Sequence, residues 1–402
     1  MKLDDLHQLP DLSALPEALA ATAAQRDRQG GHPAHEKALI ARLGLLPQVI
    51  PTQYGGAGAG WADAFAAVRA IAAVDSALGH LLAFQYLQTA TVYLYGSDAQ
   101  RERFLRPTAE LGWWWGNAVN PLDHRLRAQR SGSGWIIDGE KGFCSGTLGS
   151  DMMVLSAHDA QSGRPVVAVV LTARYGIAVR DDWYPIGQRQ TDSATVQFRH
   201  VQVSEDEVLA GPDAALSPYQ SLRTCIAQNV LVHLYTGLAA GALDEARRHT
   251  LQASRPWFTS GVERAADDPY QIQRFGEMRV QWLAAETLAE RAVQRSTVRG
   301  ARARRSPPTS APRSRSRRRR PRCWRIARRC SSGRSCSRPP ARARPRRHWR
   351  STVSGATRAR IRCTIRWTTS CAPSAAMRWR ASCPTRRSTV ERVSRAMCPS
   401  RA

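Results

Sequence analysis

The stretch Gly134–Gly146 reads GWIIDGEKGFCSG, and it decides how the centre of the chain is interpreted. Apolar and polar residues alternate along it, which is typical of a strand that buries one face. The dipeptide Asp138-Gly139 favours a tight hairpin turn, so we predict a turn there, followed by a strand that ends at Phe143-Cys144-Ser145-Gly146. The glycines let the backbone approach a ligand closely, and the Ser145 hydroxyl can donate a hydrogen bond to it. A plain strand with a glycine turn explains the same residues.

Short β-type segments lie on both sides of this stretch and predict a β domain. They share β-branched and aromatic residues and are separated by turn residues. The segments are WWWGNAVN before the stretch, and DMMVLSAH, PVVAVVLT, GIAVRDDW and SATVQFRHVQV after it. We place this domain at residues 111–215.

Helical periodicity dominates on either side of the β domain. Before it, Trp61–Gly96 is long, apolar and rich in alanine, and it breaks at Asp75-Ser76, which suits the N-cap of a second helix. After it, the periodicity returns near Pro218. The order predicts an α+β multidomain chain, with an N-terminal helical domain at 1–110 and the first part of a C-terminal helical bundle at 216–298.

The last quarter of the chain differs in composition from the rest. Residues 301–402 contain 31 Arg, one acid and no Lys, so they carry +30, and the +27 of the whole chain leaves −3 for residues 1–300. They also lack Leu, Phe, Tyr, Asp, Asn and Gln. Seven of the nine Cys lie there at spacings that match neither a zinc site nor a disulfide framework, and we predict no metal site.

Three explanations compete for residues 299–402: a disordered arginine-rich tail that binds nucleic acid, a cysteine module, and a shifted reading frame. A GC-rich gene read out of frame yields Arg, Pro, Ser, Cys and Trp in excess. Re-reading Arg360–Cys371 one base upstream gives, with permitted third bases, His-Thr-Leu-His-Asp-Pro-Val-Asp-Tyr-Lys-Leu, which is protein-like. We favour the shifted frame, which truncates or scrambles the bundle after about residue 298, and we do not expect nucleic acid as a partner.

The sequence also predicts the compartment. It shows neither a charged-then-apolar signal segment nor a run of 18 apolar residues. Cys144 and Cys225, the two cysteines that precede the arginine-rich part, suit a reducing environment, and Cys144 in its apolar strand is better explained as a structural thiol than as a nucleophile. We therefore predict a cytoplasmic protein without a membrane partner.

Two further segments carry polar residues that suit a planar ligand. Trp113–Asp123, WWWGNAVNPLD, brings backbone N–H groups and Asn117 to the end of a strand. Asp181–Val203, DDWYPIGQRQTDSATVQFRHVQV, offers Trp183 to cover a ring face and a polar turn as a rim. Each segment alone also fits a core strand or an ordinary loop.

These three segments, in this order between two helical regions, resemble the acyl-CoA dehydrogenase superfamily over about residues 10–298. GWIIDGEKGFCSG is similar to the superfamily pattern W-x-[LI]-x-G-x-K-x-[FY]-[IC]-[TS], and IGQRQTDSATVQFRHVQV is similar to its G-x-R turn followed by F-x-x-V-x-V. Cys144-Ser145-Gly146, and Asp182-Trp183 followed by GQRQTDS, most resemble the flavin-dependent monooxygenases of the dibenzothiophene monooxygenase type.

The resemblance implies an acyl-CoA dehydrogenase fold with a central β-barrel-like domain and a four-helix bundle, assembled as a homotetramer. It also implies a chemistry. Reduced FMN, supplied by a separate flavin reductase, reacts with oxygen to give a C4a-(hydro)peroxyflavin, which oxygenates a small sulfur-containing or aromatic substrate. FAD is the alternative cofactor.

The same resemblance implies a set of cofactor-binding residues. Asn117, Phe143, Ser145 and Trp183 are expected to line the isoalloxazine ring. Arg255, in the segment SRPWFTSG, is expected to meet the flavin phosphate, because a guanidinium suits bidentate phosphate contacts.

The substrate side is assigned to the first long helix. His80 and Phe84 share a helix face at i, i+4 and are expected to border the substrate pocket. His80, as a hydrogen-bond donor, and Ser145 are the candidate catalytic residues. A helix-face histidine held by a structural hydrogen bond is the alternative for His80, and His233 is interpreted as a bundle residue.

Two rival functions stay open on the sequence. A FAD-dependent acyl-CoA dehydrogenase requires a carboxylate base, and Glu263, Glu277 and Glu286 fit no such motif. In addition, Ala118–Asp123 replaces the T-E-P-x-A-G-S-D segment that is usual in the dehydrogenases. The second rival is a nucleic-acid-binding protein that acts through its basic tail.

Overall fold

Five helices form the N-terminal part of the chain in the computed structural model, which describes residues 14–215 and 217–305. These residues all belong to one compact unit. Many apolar side chains of the five helices pack into one cluster that also receives residues from the C-terminal helices. The helices are α1 (Ala14–Gln29), α2 (Ala34–Arg42), α3 (Trp61–Val74), α4 (Ser76–Tyr95) and α5 (Asp98–Leu111).

The break inside the long apolar stretch lies where the sequence predicts it. Asp75 is the N-cap of α4, and its Oδ1 accepts hydrogen bonds from the backbone N–H groups of Ala77 and Leu78, both at 3.0 Å. These bonds satisfy two of the N–H groups that a helix leaves unpaired at its start. The cap therefore fixes the point at which α4 begins, and with it the register of His80.

Eight strands form one sheet in the centre of the described chain. The pairing order is β6-β7-β3-β2-β4-β5-β8, and β1 adds to β4 in parallel. Side chains from β7 and β8, near opposite ends of this order, belong to the same core cluster, so the sheet curves around it. The strands are β1 (Trp115–Ala118), β2 (Arg127–Ser131), β3 (Gly134–Cys144), β4 (Met152–Asp159), β5 (Pro165–Leu171), β6 (Ile177–Val179), β7 (Ala194–Val203) and β8 (Val208–Ala210).

The predicted hairpin turn at Asp138-Gly139 is wrong. β3 continues through it, and the connection to β2 lies instead at residues 132–133. The irregularity belongs to the pairing of β3 with β7, where one residue of β3 faces two residues of β7. Asp138 Oδ1 accepts the backbone N–H of His200 at 2.7 Å and so stabilises this bulge. Gly139 has a φ of 119°, and a Cβ there would lie 2.2 Å from the Arg125 carbonyl oxygen.

Both faces of the central strand β4 are buried. Met153, Leu155 and Ala157 face the core that the sheet encloses. Met152 and Val154 face the other way and pack in a cluster with residues of α4 and α5. The helices therefore cover the outer face of the sheet at β4, and this contact positions α4 against β1.

Two long helices follow the sheet: α6 (Leu222–Gln252) and α7 (Pro269–Arg305). Among the described residues, α6 is the one helix whose length and composition would allow a membrane span, and it packs against α3, α4 and α7. The sequence pattern places the end of α7 at 297–300, whereas the helix continues to Arg305, because Ala and Arg are strong helix formers. The predictions for the arginine-rich tail beyond this point lie outside the described residues.

The predicted fold class is confirmed. Helices, a central sheet and a second helical part follow one another in the order expected from the sequence.

Candidate functional site

Four of the predicted flavin-lining residues lie together at the end of β3. The backbone N–H of Asn117 donates to the carbonyl of Ser145 at 2.8 Å. The rings of Phe143 and Trp183 meet edge to face, with centroids 5.7 Å apart. Ser193 Oγ donates to Ser145 Oγ at 3.3 Å. We call these five residues the cradle.

Backbone strain is concentrated around the cradle. Four non-glycine residues of the described chain have a positive φ, and three of them are Phe143 at 58°, Gln188 at 59° and Asp192 at 47°. Such conformations are rare for residues other than glycine and cluster at functional sites. Phe143 is also 70% exposed, which is unusual for a phenyl ring that ends a buried strand. The strained conformation and the exposed ring fit a surface that receives a flat ligand.

A chain of hydrogen bonds fixes the turn that faces the cradle. Trp183 Nε1 donates to the Gln188 carbonyl at 2.9 Å, so the indole edge is held by its own loop. Thr191 Oγ1 donates to the same carbonyl at 3.0 Å. Ser193 and Thr191 exchange a hydroxyl contact of 2.7 Å. This turn therefore positions both the indole ring and the hydroxyl that reaches Ser145.

A ridge of α4 faces the cradle from the other side. Ser76, His80, Phe84 and Gln88 are spaced by four residues, so they form one row along the helix. At one end, Ser76 Oγ accepts from Gln188 Nε2. At the other end, Gln88 Nε2 donates to Asn117 Oδ1 at 2.8 Å. His80 and Phe84 lie between these two contacts.

His80 stacks on Phe84, with ring centroids 4.4 Å apart and planes 11° from parallel. Its Nε2 is shielded from solvent and has no hydrogen-bond partner among the described residues. Burial lowers the pKa of His80 to about 4, so the imidazole is neutral at pH 7. A neutral imidazole with a free ring nitrogen can donate or accept one hydrogen bond to a ligand.

A buried ion pair anchors the turn to α2. Lys37 Nζ lies 2.8 Å from Asp192 Oδ2, and the carboxylate is fully buried. Lys37 also donates to the Gly149 carbonyl at 2.9 Å, and His32 Nδ1 lies 2.9 Å from Asp192 Oδ1. We call Lys37, Asp192 and His32 the clamp. It holds the residue that separates Thr191 from Ser193.

A second buried cation ties the same turn to α4. Arg26 Nη2 pairs with the N-cap residue Asp75 at 2.7 Å, and its Nη1 donates to Gln190 Oε1 at 2.9 Å. Arg26 also lies 3.3 Å from Glu36. The start of the His80 helix and the turn beside the cradle are therefore held by one guanidinium.

Comparison with known proteins shows which family the chain resembles. Two family models match the chain: acyl-CoA dehydrogenase, N-terminal domain, at residues 14–111, and acyl-CoA dehydrogenase, C-terminal domain, at residues 230–333. The probable FMNH2-dependent monooxygenase SfnC of Pseudomonas putida is 42% identical over 277 residues, which are 68% of this chain and 70% of the relative. The dibenzothiophene monooxygenase of Rhodococcus erythropolis is 39% identical over 293 residues, 69% of this chain and 70% of the relative.

Solved structures agree with these relatives. The methanesulfinate monooxygenase MsuC from Pseudomonas fluorescens superimposes with a TM-score of 0.69 at 38% identity, covering 75% of this chain and 77% of that one. TdsC from Paenibacillus, in complex with FMN and indole, gives 0.68 at 35% identity, covering 74% and 76%. The chain belongs to the FMNH2-dependent monooxygenases of the acyl-CoA dehydrogenase superfamily. The resemblance expected from the motifs is confirmed.

The residues present in this monooxygenase fit an FMN ring. Buried polar atoms without a partner are rare in folded proteins, and three of those in the described chain belong to the α4 ridge or to the turn beside the cradle: His80 Nε2, Gln88 Oε1 and Gln188 Oε1. The Ser145 hydroxyl adds a further polar group at the end of β3. A flat heteroaromatic ligand with ring nitrogens and carbonyls would satisfy them.

The structure does not bring Arg255 to the cradle of the monooxygenase. It lies in the exposed connection between α6 and α7 and makes no ion pair within the described part of the chain. Trp257 and Phe258, which follow it, are 68% and 83% exposed. The role of Arg255 at the flavin phosphate stays a prediction.

Two of the three carboxylates considered for a dehydrogenase base contact other side chains of this monooxygenase. Glu286 lies 3.8 Å from Arg69, and Glu277 accepts from Gln273 at 2.9 Å. Glu263 lies in the exposed connection between α6 and α7. Cys144 is buried, and burial raises the pKa of its thiol to about 12, in keeping with a structural role.

Sequence reasoning missed the clamp and Arg26. Lys37 and Asp192, and likewise Arg26 and Gln190, are more than 150 residues apart, and no local motif predicts these contacts. The one sequence feature that could have indicated the clamp is Asp192, an acidic residue inside the polar turn. Its nearest basic residues in the sequence, Arg189 and Arg199, belong to the loop and to the strand.

His233 lies in α6, and its fully buried ring stacks on Phe65 at 4.6 Å. Its Nδ1 accepts from Arg69 at 2.8 Å. Burial, and then the Arg69 charge, lower the pKa of His233 to about 4.

This lowered pKa predicts a pH dependence of stability. Because the unfolded imidazole titrates near 6.5, the neutral ring contributes its full stability above pH 6.5 and loses it as the pH falls toward 4. Between pH 7.5 and pH 5, we expect the free energy of unfolding to drop by about 2 kcal/mol from this residue alone. Urea unfolding of the wild type and of His233→Leu at both pH values measures it. Equal pH dependence in the two proteins would contradict the assignment.

Proposed function

We propose that this monooxygenase uses reduced FMN and dioxygen to oxygenate a small sulfur-containing or aromatic molecule. One observation carries the proposal: His80 Nε2 has no partner among the described residues, and His80 lies between the two α4 side chains that contact the cradle and its turn. The similarity to a dibenzothiophene monooxygenase and to a methanesulfinate monooxygenase supports it.

The roles of the residues follow from their chemistry. When bound, reduced FMN supplies the electrons that activate dioxygen. Phe143 and Trp183 hold the flat ring, and the hydroxyl of Ser145 donates to a polar ring atom. Asn117 is held by Gln88 and by the carbonyl of Ser145, and it bounds the flavin ring on the side of α4.

His80 is proposed to hold a proton at Nε2 beside the reacting atoms. Its neutral state at pH 7 suits a hydrogen-bond donor, and the stacked Phe84 keeps water from that side. The neutral, aromatic surface of this ridge favours an uncharged ring over an anionic substrate. We therefore propose an aromatic sulfur compound as the preferred substrate class.

Partners and location are part of the same proposal. We propose a separate flavin reductase as the source of reduced FMN, a homotetramer as the assembly, and the cytoplasm as the location. The location is supported by Cys144 and Cys225, which are both unpaired. Sedimentation of the purified protein tests the assembly.

We also propose that residues 299–402 come from a shifted reading frame. Their composition supports this. The match of the C-terminal family model extends to residue 333. Sequencing the gene around codons 290–305 tests the proposal, and an intact frame would overturn it.

The proposed function is tested by supplying FMN and a reductase with either dibenzothiophene or methanesulfinate. Oxygenated products are measured by mass spectrometry, and hydrogen peroxide is measured in parallel. We expect product from the aromatic sulfur compound. Flavin oxidation that yields hydrogen peroxide alone with both substrates would contradict the proposed substrate class, and failure to bind FMN would contradict the function as a whole.

Ser145→Ala is expected to weaken FMN binding about fivefold, since it removes one hydrogen bond worth about 1 kcal/mol to the ring. Fluorescence quenching of FMN on titration with protein measures the Kd. Ser133→Ala, in the exposed turn between β2 and β3, is the matched control and should leave the Kd unchanged. Equal affinities for the two variants would remove Ser145 from the flavin contacts.

A further inference from the structure

A cavity lined by the described residues lies apart from the cradle. Its volume is about 540 Å³, and neither His80, Phe84 nor any cradle residue lines it. Its wall is built from the loop at residues 49–59 and from α3, α4, α5, α6 and the end of α7. Small-molecule sites are clefts or cavities with volumes of about 300–1,000 Å³. The size is that of a binding site.

None of the described residues that line this cavity is charged. All of its lining residues are apolar, aromatic, amide, hydroxyl or thiol residues, or glycine and proline. A charged ligand would lose its hydration there without compensation. The cavity therefore selects a neutral molecule.

Aromatic rings form much of the wall. Trp61 and Phe65 line it side by side, with ring centroids 5.3 Å apart, and Tyr93 and Tyr219 line it from α4 and from the segment before α6. Aromatic side chains pair with flat rings in offset or edge-to-face geometry. This composition favours a planar ligand over a flexible alkyl chain.

Asn229 supplies one polar contact. Its side chain lines the cavity and is 8% exposed. Nδ2 donates to the Cys225 carbonyl at 2.9 Å, and the amide oxygen has no partner within the described chain. That oxygen can accept one hydrogen bond from an N–H or O–H group of a ligand.

We propose that this cavity is a second small-molecule site, which binds a neutral aromatic compound carrying one hydrogen-bond donor. It is separate from the flavin cradle and does not depend on the proposed oxygenation. Indole, a planar N–H compound, is the probe for the experiments.

Cys225 provides a reporter at the site, since it is an exposed free thiol that lines the cavity. The full chain is alkylated with iodoacetamide in the absence of FMN, with and without saturating indole, and each cysteine peptide is quantified by mass spectrometry. We expect indole to slow the labelling of Cys225 at least fivefold and to leave the cysteines beyond residue 300 unaffected. An unchanged rate at Cys225 would overturn the proposal.

Two variants locate the bound probe. Ala59→Trp places a bulky ring in the lining of the cavity, and Ala90→Leu, on α4, is a smaller change that serves if the first fails to fold. Either variant is expected to abolish protection of Cys225 by indole and to leave FMN affinity at the wild-type value. Phe84→Ala, on the ridge that faces the cradle, is expected to keep the protection. Loss of protection in Phe84→Ala, or its persistence in both cavity variants, would place indole at the flavin side and refute the second site.

Discussion

His80→Leu is expected to lower product formation about 100-fold while the free energy of unfolding stays level or rises. Both results follow from one feature, a neutral imidazole whose Nε2 has no partner in the described protein. Leucine fills similar space beside Phe84 and removes a buried polar atom that is unsatisfied without ligand, so the fold loses little. In the variant, a ligand beside α4 can no longer form a hydrogen bond with the imidazole.

Product per FMNH2 oxidised, hydrogen peroxide release and urea unfolding are the measurements for this variant. We expect peroxide to replace product, with flavin oxidation continuing. His233→Leu is the matched control, because that ring is also buried with an unpartnered Nε2 but lies in α6 at the contact with α3. Wild-type product formation by His80→Leu would show that the histidine is structural.

The parts of the site that could be predicted from the sequence have local signals. Asp75-Ser76 interrupts an apolar run, and the structure shows Asp75 capping α4. The spacing of His80 and Phe84 places both on one face, and the structure stacks their rings. Phe143 and Ser145 belong to one short motif, so their common position at the end of β3 could also be predicted, because residues adjacent in sequence stay close at a strand end.

The predicted turn at Asp138-Gly139 is wrong because the Asp-Gly dipeptide is compatible with two different local structures. Asp-Gly suits a two-residue hairpin, but it also suits a bulge, where the carboxylate accepts a backbone N–H and glycine adopts a positive φ. The choice depends on whether a second strand lies alongside. β2 and β7 pair with β3 on its two sides, and the pairing with β7 depends on residues far away in the sequence, as the 62-residue separation of Asp138 and His200 illustrates.

The clamp could not be predicted, since its contacts have no period in the sequence. Lys37 and Asp192 are 155 residues apart, and Arg26 and Gln190 are 164 apart. In the sequence, Lys37 and Arg26 are indistinguishable from ordinary charged residues of amphipathic helices. Only the packing of α1 and α2 against the turn gives them buried partners, and that packing depends on the whole N-terminal core.

Lys37→Met is expected to lower the free energy of unfolding by about 3–5 kcal/mol and to weaken FMN binding at least tenfold. The Asp192 carboxylate is fully buried, so loss of Lys37 leaves a charge that only the partly exposed His32 can compensate. Asp192 also has a left-handed backbone, and its neighbours Thr191 and Ser193 hold the hydroxyl that reaches Ser145. Movement of this residue therefore disturbs the cradle as well as the fold.

Urea unfolding and the FMN dissociation constant are measured for Lys37→Met and for two comparison proteins. Arg248→Met breaks the exposed pair with Glu245 and should cost less than about 1 kcal/mol, with FMN affinity unchanged. The double variant Lys37→Met with Asp192→Asn removes both charges, and asparagine tolerates the left-handed backbone, so most of the stability should return. FMN affinity should stay low, because the anchor of the turn to α2 is still missing. Full recovery of FMN binding in the double variant would show that the clamp supports only the stability of the fold.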